Sequence, residues 1–392
     1  MARKFAAPGG SERSAGGGFP GPMGAAQFLR RHWQKRPLLV RGAFPAFEDP
    51  LSIAQVLGLA ASPDAESRIV RRAGRDWSLE HGPFTKAQLA RRPRRDWTVL
   101  VQDTNHFSAA AERLLERFSF VPRARVDDLM VSYAVPGGTV GPHVDSYDVF
   151  LVQGSGRRRW QVSRQKDLAF VPGLDLRILA RFEPEEEWVL EPGDMLYLPP
   201  DVAHYGVAET ECLTWSVGFR APSDQELAAG FLDYLGERLR LEGRYGDPGL
   251  EPARAPGRIP AQLLAHVERT LARVRWSRAD AIEFAGRFLS EPKAHVYFTP
   301  PARPVPRSRF AAAAARRGLC LDRRARLLHA AGRFFLNGEP APAPAGCAGW
   351  LRKLADSRNL VSTAGAPAAF LDLAHEWHAR GFLHLGDGGS DP

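Results

Sequence analysis

Cysteine is nearly absent, with three residues (Cys212, Cys320 and Cys347) in a chain of 392. So few, so scattered, cannot build a disulfide framework and lack the close spacing of a zinc finger, which points to a reducing compartment, the cytoplasm. Long hydrophobic runs are missing too. No stretch approaches the roughly 20 apolar residues of a membrane span, so no membrane partner is expected. Residues 1–24 hold glycine and charge but no apolar signal-peptide core, and read as a disordered leader. Internal repeats are not apparent. Acidic residues fall short of basic ones, 44 against 53, and the net charge of +9 opens contact with RNA phosphate, although the arginines are spread along the chain.

What is present is ordinary globular material, 44% hydrophobic and 25% charged, in a chain too long for one core. Its character changes twice. Residues 25–222 mix short apolar strands with turn signals, after an opening helix at 25–33 whose Phe28, Leu29 and Trp33 share a face. At Ser223-Asp-Gln-Glu a capping box begins a helix in which Leu227, Phe231, Leu232, Leu235 and Leu239 recur at helical spacing; further helices are predicted at 260–276 and 279–289. A proline-rich linker at 300–306 opens the last segment, 300–392. It predicts a helix at 310–317, strands at 326–329 and 333–336, a turn at Asn337-Gly338, and helices at 350–355 and 367–380.

The chemistry lies in the first segment. The run Val-Pro-Gly-Gly-Thr-Val-Gly-Pro-His-Val-Asp at 135–145 is a glycine-rich bend entering a strand, where alternation puts His143 and Asp145 on one face. A second arm, at 191–204, has a turn at Pro192-Gly193-Asp194, a short strand at 195–198, a break at Pro199-Pro200, and then His204. Gly193, Pro199 and His204 have the Gly-x5-Pro-x4-His spacing of the second cupin signature. Two imidazoles and one carboxylate leave three metal positions open, which suits a mononuclear iron site that must hold a co-substrate and dioxygen together. A closed zinc site would take a fourth ligand, often cysteine.

An oxygenase of this type usually consumes 2-oxoglutarate, whose distal carboxylate calls for a cation, and arginine offers a planar fork. The first arm leads to Gly154-Ser155-Gly156, read as a tight hairpin turn, and then to Arg157, Arg158 and Arg159. Alternation places Arg158 on one face and the other two on the opposite face. Pattern alone leaves open whether any of them faces the cavity. His375-Glu-Trp-His378 has its histidines three apart, where a zinc-protease helix needs four, and reads as an exposed helix face; His81 and His106 read as structural, or as lining a substrate groove.

The segment from Asp128 to Trp160 resembles the bacterial ribosomal oxygenases, as do His32-Trp-Gln-Lys-Arg-Pro, Ser67-Arg-Ile-Val, His81-Gly-Pro-Phe, Trp97-Thr-Val-Leu-Val-Gln and Trp215-Ser-Val-Gly-Phe-Arg-Ala-Pro. The resemblance is strong over residues 25–222 and holds in outline beyond. It implies an α+β protein: a double-stranded β-helix (cupin or JmjC barrel) over 25–222, a helical dimerisation region over 223–299, and a winged-helix-like domain over 300–392. It implies His143, Asp145 and His204 as iron ligands, Arg158 as the holder of 2-oxoglutarate, and dioxygen as co-substrate. The implied reaction is hydroxylation of an arginine in a large-subunit ribosomal protein, by a homodimer. Tyr147 and Asp148, just past the metal arm, are candidates by position to meet the substrate guanidinium. Where the family often has serine this chain has Ala134, and Tyr205 stands where relatives commonly carry an acidic or polar residue. A JmjC-type demethylase would use the same ligands, and a cupin-fold regulator would bind a ligand without turnover.

Overall fold

The computed structural model describes residues 19–74 and 76–386. They form two compact units that divide at Ala221/Pro222.

The first unit contains α1 (Ala25–Arg31), β1 (Leu38–Val40), α2 (Ile53–Ala60), β2 (Ser67–Ala73), β3 (Asp76–His81), α3 (Lys86–Ala90), β4 (Trp97–Val101) and α4 (Ala109–Glu116). Seven strands follow: β5 (Val126–Ala134), β6 (Val149–Gln153), β7 (Arg158–Ser163), β8 (Glu186–Leu190), β9 (Met195–Leu198), β10 (Ala203–Ala208) and β11 (Cys212–Phe219). They make an eight-stranded sheet, ordered β1-β9-β6-β11-β5-β4-β2-β3, and a three-stranded sheet, β10-β7-β8. Period-two alternation decides what each face buries. On β5 and β11, Leu129, Val131, Tyr133, Leu213, Trp215, Val217 and Phe219 point into a large core shared with Phe28 of α1, Val56 of α2 and Leu114 of α4. The opposite face of the large sheet meets the small one, where Val149, Leu151, Leu196 and Leu198 pack on Trp160, Val162 and Leu190. This is the double-stranded β-helix expected, with its lumen between the two sheets.

Three expectations for this unit need correction. Residues 1–18 of the expected leader lie outside the described residues, but Phe19 is ordered core: its ring stacks on Phe28 at 4.5 Å and meets Phe120 and Phe150. Burying one such ring contributes about 1.5–3 kcal/mol, which outweighs the glycine-rich composition around it. The turn at Gly154-Ser155-Gly156 does not close a hairpin either. Strand β6 pairs with β9 and β11, whereas β7 pairs with β10 and β8, so the turn carries the chain from one sheet to the other. Finally, 143–145 is not a regular strand; His143 makes a single antiparallel bridge to His204 at the edge of the small sheet.

The second unit holds α5 (Asp224–Arg238), α6 (Ala261–Leu271), α7 (Arg278–Ser290), α8 (Arg307–Arg317), β12 (Leu319–Leu321), β13 (Leu327–Ala330), β14 (Arg333–Leu336), β15 (Glu339–Ala341), α9 (Ala348–Ser357), β16 (Asn359–Leu360), α10 (Ala368–Ala379) and β17 (Leu383–Leu385). The Ser223 capping box is formed: its hydroxyl takes the Glu226 amide proton while the Glu226 carboxylate takes the Ser223 amide proton. Asn337 and Gly338 have positive φ, as the two-residue turn between β14 and β15 requires. Packing crosses the expected boundary at residue 300, because Gly286 of α7 lies against the ring of Phe335. The exposed face expected for His375 and His378 is also absent. His378 is buried with Nδ1 2.9 Å from the Leu383 carbonyl, and His375 Nε2 meets the Val305 carbonyl at 3.0 Å, so both pin α10 rather than face solvent.

Candidate metal and co-substrate site

His143 and His204 exchange both backbone hydrogen bonds, at 3.0 and 2.9 Å, which holds their rings opposite each other with centroids 4.1 Å apart. Asp145 is brought round by its carbonyl, which accepts the Asp201 amide proton at 2.9 Å. Nδ1 of His143 lies 2.9 Å from the Gly141 carbonyl, and Nδ1 of His204 lies 3.0 Å from that of Val202. A carbonyl can only accept, so each Nδ1 carries a proton, and in the neutral ring that leaves the Nε2 lone pair for a metal. Those Nε2 atoms stand 4.0 and 3.6 Å from Asp145 carboxylate oxygens, and one ligand atom from each residue falls within 4.8 Å of the others. Burial, with His143 beside it, pushes His204 down to about 4, so it is neutral at pH 7 as a ligand must be. The three side chains fit a divalent metal with open positions, through donor type as well as distance.

Behind them lies the second half of the site. Arg158 opens β7 on its inner face, only 2% exposed, and donates to Ser132 Oγ at 2.9 Å, with Thr214 Oγ1 at 3.4 Å and the Gly206 carbonyl at 3.5 Å. Its Nε has no hydrogen-bond partner, and no carboxylate pairs with it among the described residues. Burial accordingly lowers its pKa from the ordinary arginine value. A buried guanidinium satisfied only by neutral groups is costly by several kcal/mol, and it fits an anion that arrives from outside. The two neighbours of Arg158 turn the other way: Arg159 pairs outward with Glu187 and Glu209, and Arg157 lies exposed near Glu209.

Trp160 links the two halves, its ring 5.2 Å below the Arg158 guanidinium carbon and 6.0 Å from the His204 ring. It fits because residue 206 is glycine; a Cβ there would sit 2.6 Å from a Trp160 ring carbon. Gly206→Ala is therefore expected to tilt the indole into the lumen and raise the 2-oxoglutarate concentration for half-maximal turnover about tenfold or more, read from succinate formation.

Other expected residues fall differently. Asp148 is fully buried, accepting from Tyr197 Oη at 2.6 Å and Gln34 Nε2 at 3.0 Å, with Arg125 at 3.3 Å, so its carboxylate braces the fold and is closed to a substrate. Tyr147 is 38% exposed, two residues past Asp145, among the charges of Asp145, Asp128, Asp127 and Arg68. Ala134 packs with Ala208 and Cys212, and Ser132, two positions earlier on the same face of β5, supplies a hydroxyl instead. Ser132, Thr214, Gln153 and Trp160 were not singled out by sequence. For Ser132 and Thr214 the signal was a hydroxyl within a largely apolar strand, and for Gln153 a polar residue ending one; Trp160 looks like any core aromatic.

The comparisons with known proteins agree with this geometry. A JmjC domain model matches residues 113–227, and a ROXA-like winged-helix model matches residues 273–384. The Escherichia coli ribosomal protein uL16 3-hydroxylase is 37% identical over 278 residues, which is 71% of this chain and 74% of that protein. The chain belongs to the bacterial ribosomal oxygenases. A probable ribosomal oxygenase of Haemophilus influenzae is 41% identical over 207 residues, 52% of this chain and 51% of that protein. The structure of the E. coli ribosomal oxygenase YcfD in complex with cobalt and 2-oxoglutarate superposes with a TM-score of 0.77 at 32% identity, covering 92% of this chain and 97% of that one. This ribosomal oxygenase is thus an Fe(II)- and 2-oxoglutarate-dependent dioxygenase, built on a JmjC β-core with a separate winged-helix-like C-terminal domain. No helix among the described residues is long and apolar enough to cross a membrane.

Proposed function

We propose that this chain hydroxylates a side chain of a large-subunit ribosomal protein, with arginine as the acceptor. In this reading His143, Asp145 and His204 hold Fe(II), and Arg158 takes the distal carboxylate of 2-oxoglutarate. The observation that carries it is the Arg158 guanidinium, buried beside the triad without a carboxylate of its own. When bound, iron and co-substrate supply the oxidation: one atom of dioxygen enters a substrate C–H bond, the other ends in succinate, and carbon dioxide leaves. The protein's own residues orient and exclude water. Trp160 and Gly206 shape the co-substrate channel. Tyr147, partly exposed two residues past Asp145, offers an aromatic face suited to a guanidinium. Residues 25–222 serve as the catalytic unit and 223–299 as a dimerisation region. The latter reading is supported by apolar side chains left exposed on and beside α6, Leu264, Val267, Leu271 and Trp276 among them. Sedimentation at twice the 43.2 kDa chain mass is the expected result. Cys212, Cys320 and Cys347 are buried and none is in a disulfide, which suits a cytoplasmic home.

The decisive experiment incubates the full chain with Fe(II), 2-oxoglutarate and fragments of large-subunit ribosomal proteins, and reads succinate and peptide mass. A gain of one oxygen on an arginine-containing fragment is expected. Loss of a methyl group from a methylated fragment would instead favour demethylation, and ligand binding without succinate would favour a regulator.

A further inference from the structure

Within the catalytic unit six arginines from two separate segments lie side by side. Strand β2 ends with Arg71 and Arg72, and the segment entering β4 carries Arg91, Arg92, Arg94 and Arg95. Sheet register joins the two, since Arg71 stands opposite Trp97 and the Arg72 amide donates to the Asp96 carbonyl at 3.0 Å. Glu80 neutralises Arg92 through two bonds of 2.6 and 2.7 Å. Arg71, Arg91, Arg94 and Arg95 are exposed and form no salt bridge among the described residues, while Arg71 stands near enough to Glu80 to help hold its carboxyl below the ordinary value. The band adjoins the active site on both arms. Arg72 donates to the Tyr205 hydroxyl at 3.0 Å, one residue from His204, and the Asp96 amide donates to the Pro136 carbonyl in the bend that leads to His143. Trp77 lies within the band, 5.6 Å from the Arg72 guanidinium carbon, and is only partly covered.

A solvated basic run is the ordinary explanation of exposed arginines; here two separate segments meet beside both metal arms, with an aromatic ring among them. Six arginines set against Asp76, Glu80 and Asp96 leave a local positive surplus, which suits a polyanion. An aromatic face among them suits bases as well as phosphates. We propose that this arginine band binds the phosphate backbone of ribosomal RNA lying beside the protein substrate. The proposal rests on the ribosomal-protein reading for its choice of RNA, and an acidic protein segment is the competing occupant.

The test measures fluorescence anisotropy of a labelled single-stranded ribosomal RNA fragment with the full chain across a potassium chloride series. The variant is Arg71→Gln/Arg94→Gln/Arg95→Gln, none of them in the metal or co-substrate site. Each phosphate contact on single strands contributes about 0.7 to the slope of log affinity against log salt, so the triple variant should lose about 2 from that slope. Its turnover of an RNA-free peptide should equal the parent's, which also certifies the fold. An unchanged slope overturns the proposal, as does a poly-glutamate peptide that displaces the RNA at equal charge. A matched variant on α8, Arg309→Gln/Arg316→Gln, should bind as the parent does; loss there would place the contact in the C-terminal unit and end the proposal. RNA binding with the predicted slope, in a parent that forms no succinate with any ribosomal fragment, would sink the hydroxylase reading and leave the arginine band standing.

Discussion

Arg158→Met is expected to raise the 2-oxoglutarate concentration for half-maximal succinate formation roughly thirtyfold to several thousandfold, while leaving the co-substrate-free protein as stable as its parent or more so. The first half follows from removing one partner of a buried, hydrogen-bonded charge pair, which costs about 2–5 kcal/mol. The second half separates co-substrate binding from a structural role. Without an anion the Arg158 guanidinium is buried against Ser132, Thr214 and a carbonyl, all neutral, with Nε unpartnered. Exchanging such a charge for an apolar side chain of similar length is commonly neutral or stabilising by about 1–4 kcal/mol. Ligand linkage gives the cleanest reading. A co-substrate at a hundred times its dissociation constant should stabilise the parent by about 2.7 kcal/mol and the variant hardly at all. Thermal melting with and without 2-oxoglutarate measures both. A variant that melts well below its parent without co-substrate, yet saturates at the same concentration, would make Arg158 a core residue. Arg158→Lys keeps the charge but loses the planar fork, and should fall between the two.

The metal arms were legible because their chemistry is local. Turn residues fix the approach to His143, and Pro199-Pro200 ends β9 shortly before His204, so each arm carries its own geometry in sequence. Strand β9 and the Ser223 helix start fall where turn and cap residues place them, for the same reason. Legibility failed where the outcome depended on partners distant in the chain. Gly154-Ser155-Gly156 looks like a hairpin turn from inside, and only the preference of β6 for β9 and β11, and of β7 for β10 and β8, turns it into a crossing between sheets. The crossing matters, because it moves Arg158 from the sheet of β6 to the sheet of His204, on the far wall of the lumen from Ser132. Asp148 failed in the same way. It follows the metal arm and carries the right charge, but Tyr197, Gln34 and Arg125 reach it from 49, 114 and 23 residues away. Phe19 was hidden by glycine-rich neighbours, although one aromatic ring with a place in the core is enough to order a short segment.

Asp145→Asn is expected to abolish turnover, to below about a thousandth of the parent rate, by loss of iron and not by loss of fold. Asparagine matches aspartate in size, and the backbone tie from the Asp201 amide to the residue 145 carbonyl does not depend on the side chain. What disappears is the negative charge that two neutral imidazoles need beside them to hold a dication. Changing even an outer partner of a metal ligand commonly costs ten- to a hundredfold in affinity, so removing the one charged ligand should cost more than about a hundredfold. Iron titration followed by metal analysis should then show a variant that is empty at concentrations filling the parent, with an unchanged melting temperature when both are metal-free. Pairing this variant with Arg158→Met distinguishes the two halves of the site. Asp145→Asn should lose metal yet keep the buried cation, whereas Arg158→Met should bind iron as the parent does and fail only with co-substrate. If Asp145→Asn instead holds iron as tightly as its parent, the three side chains within 4.8 Å of one another are not the metal site, and the oxygenase chemistry assigned to them has no seat.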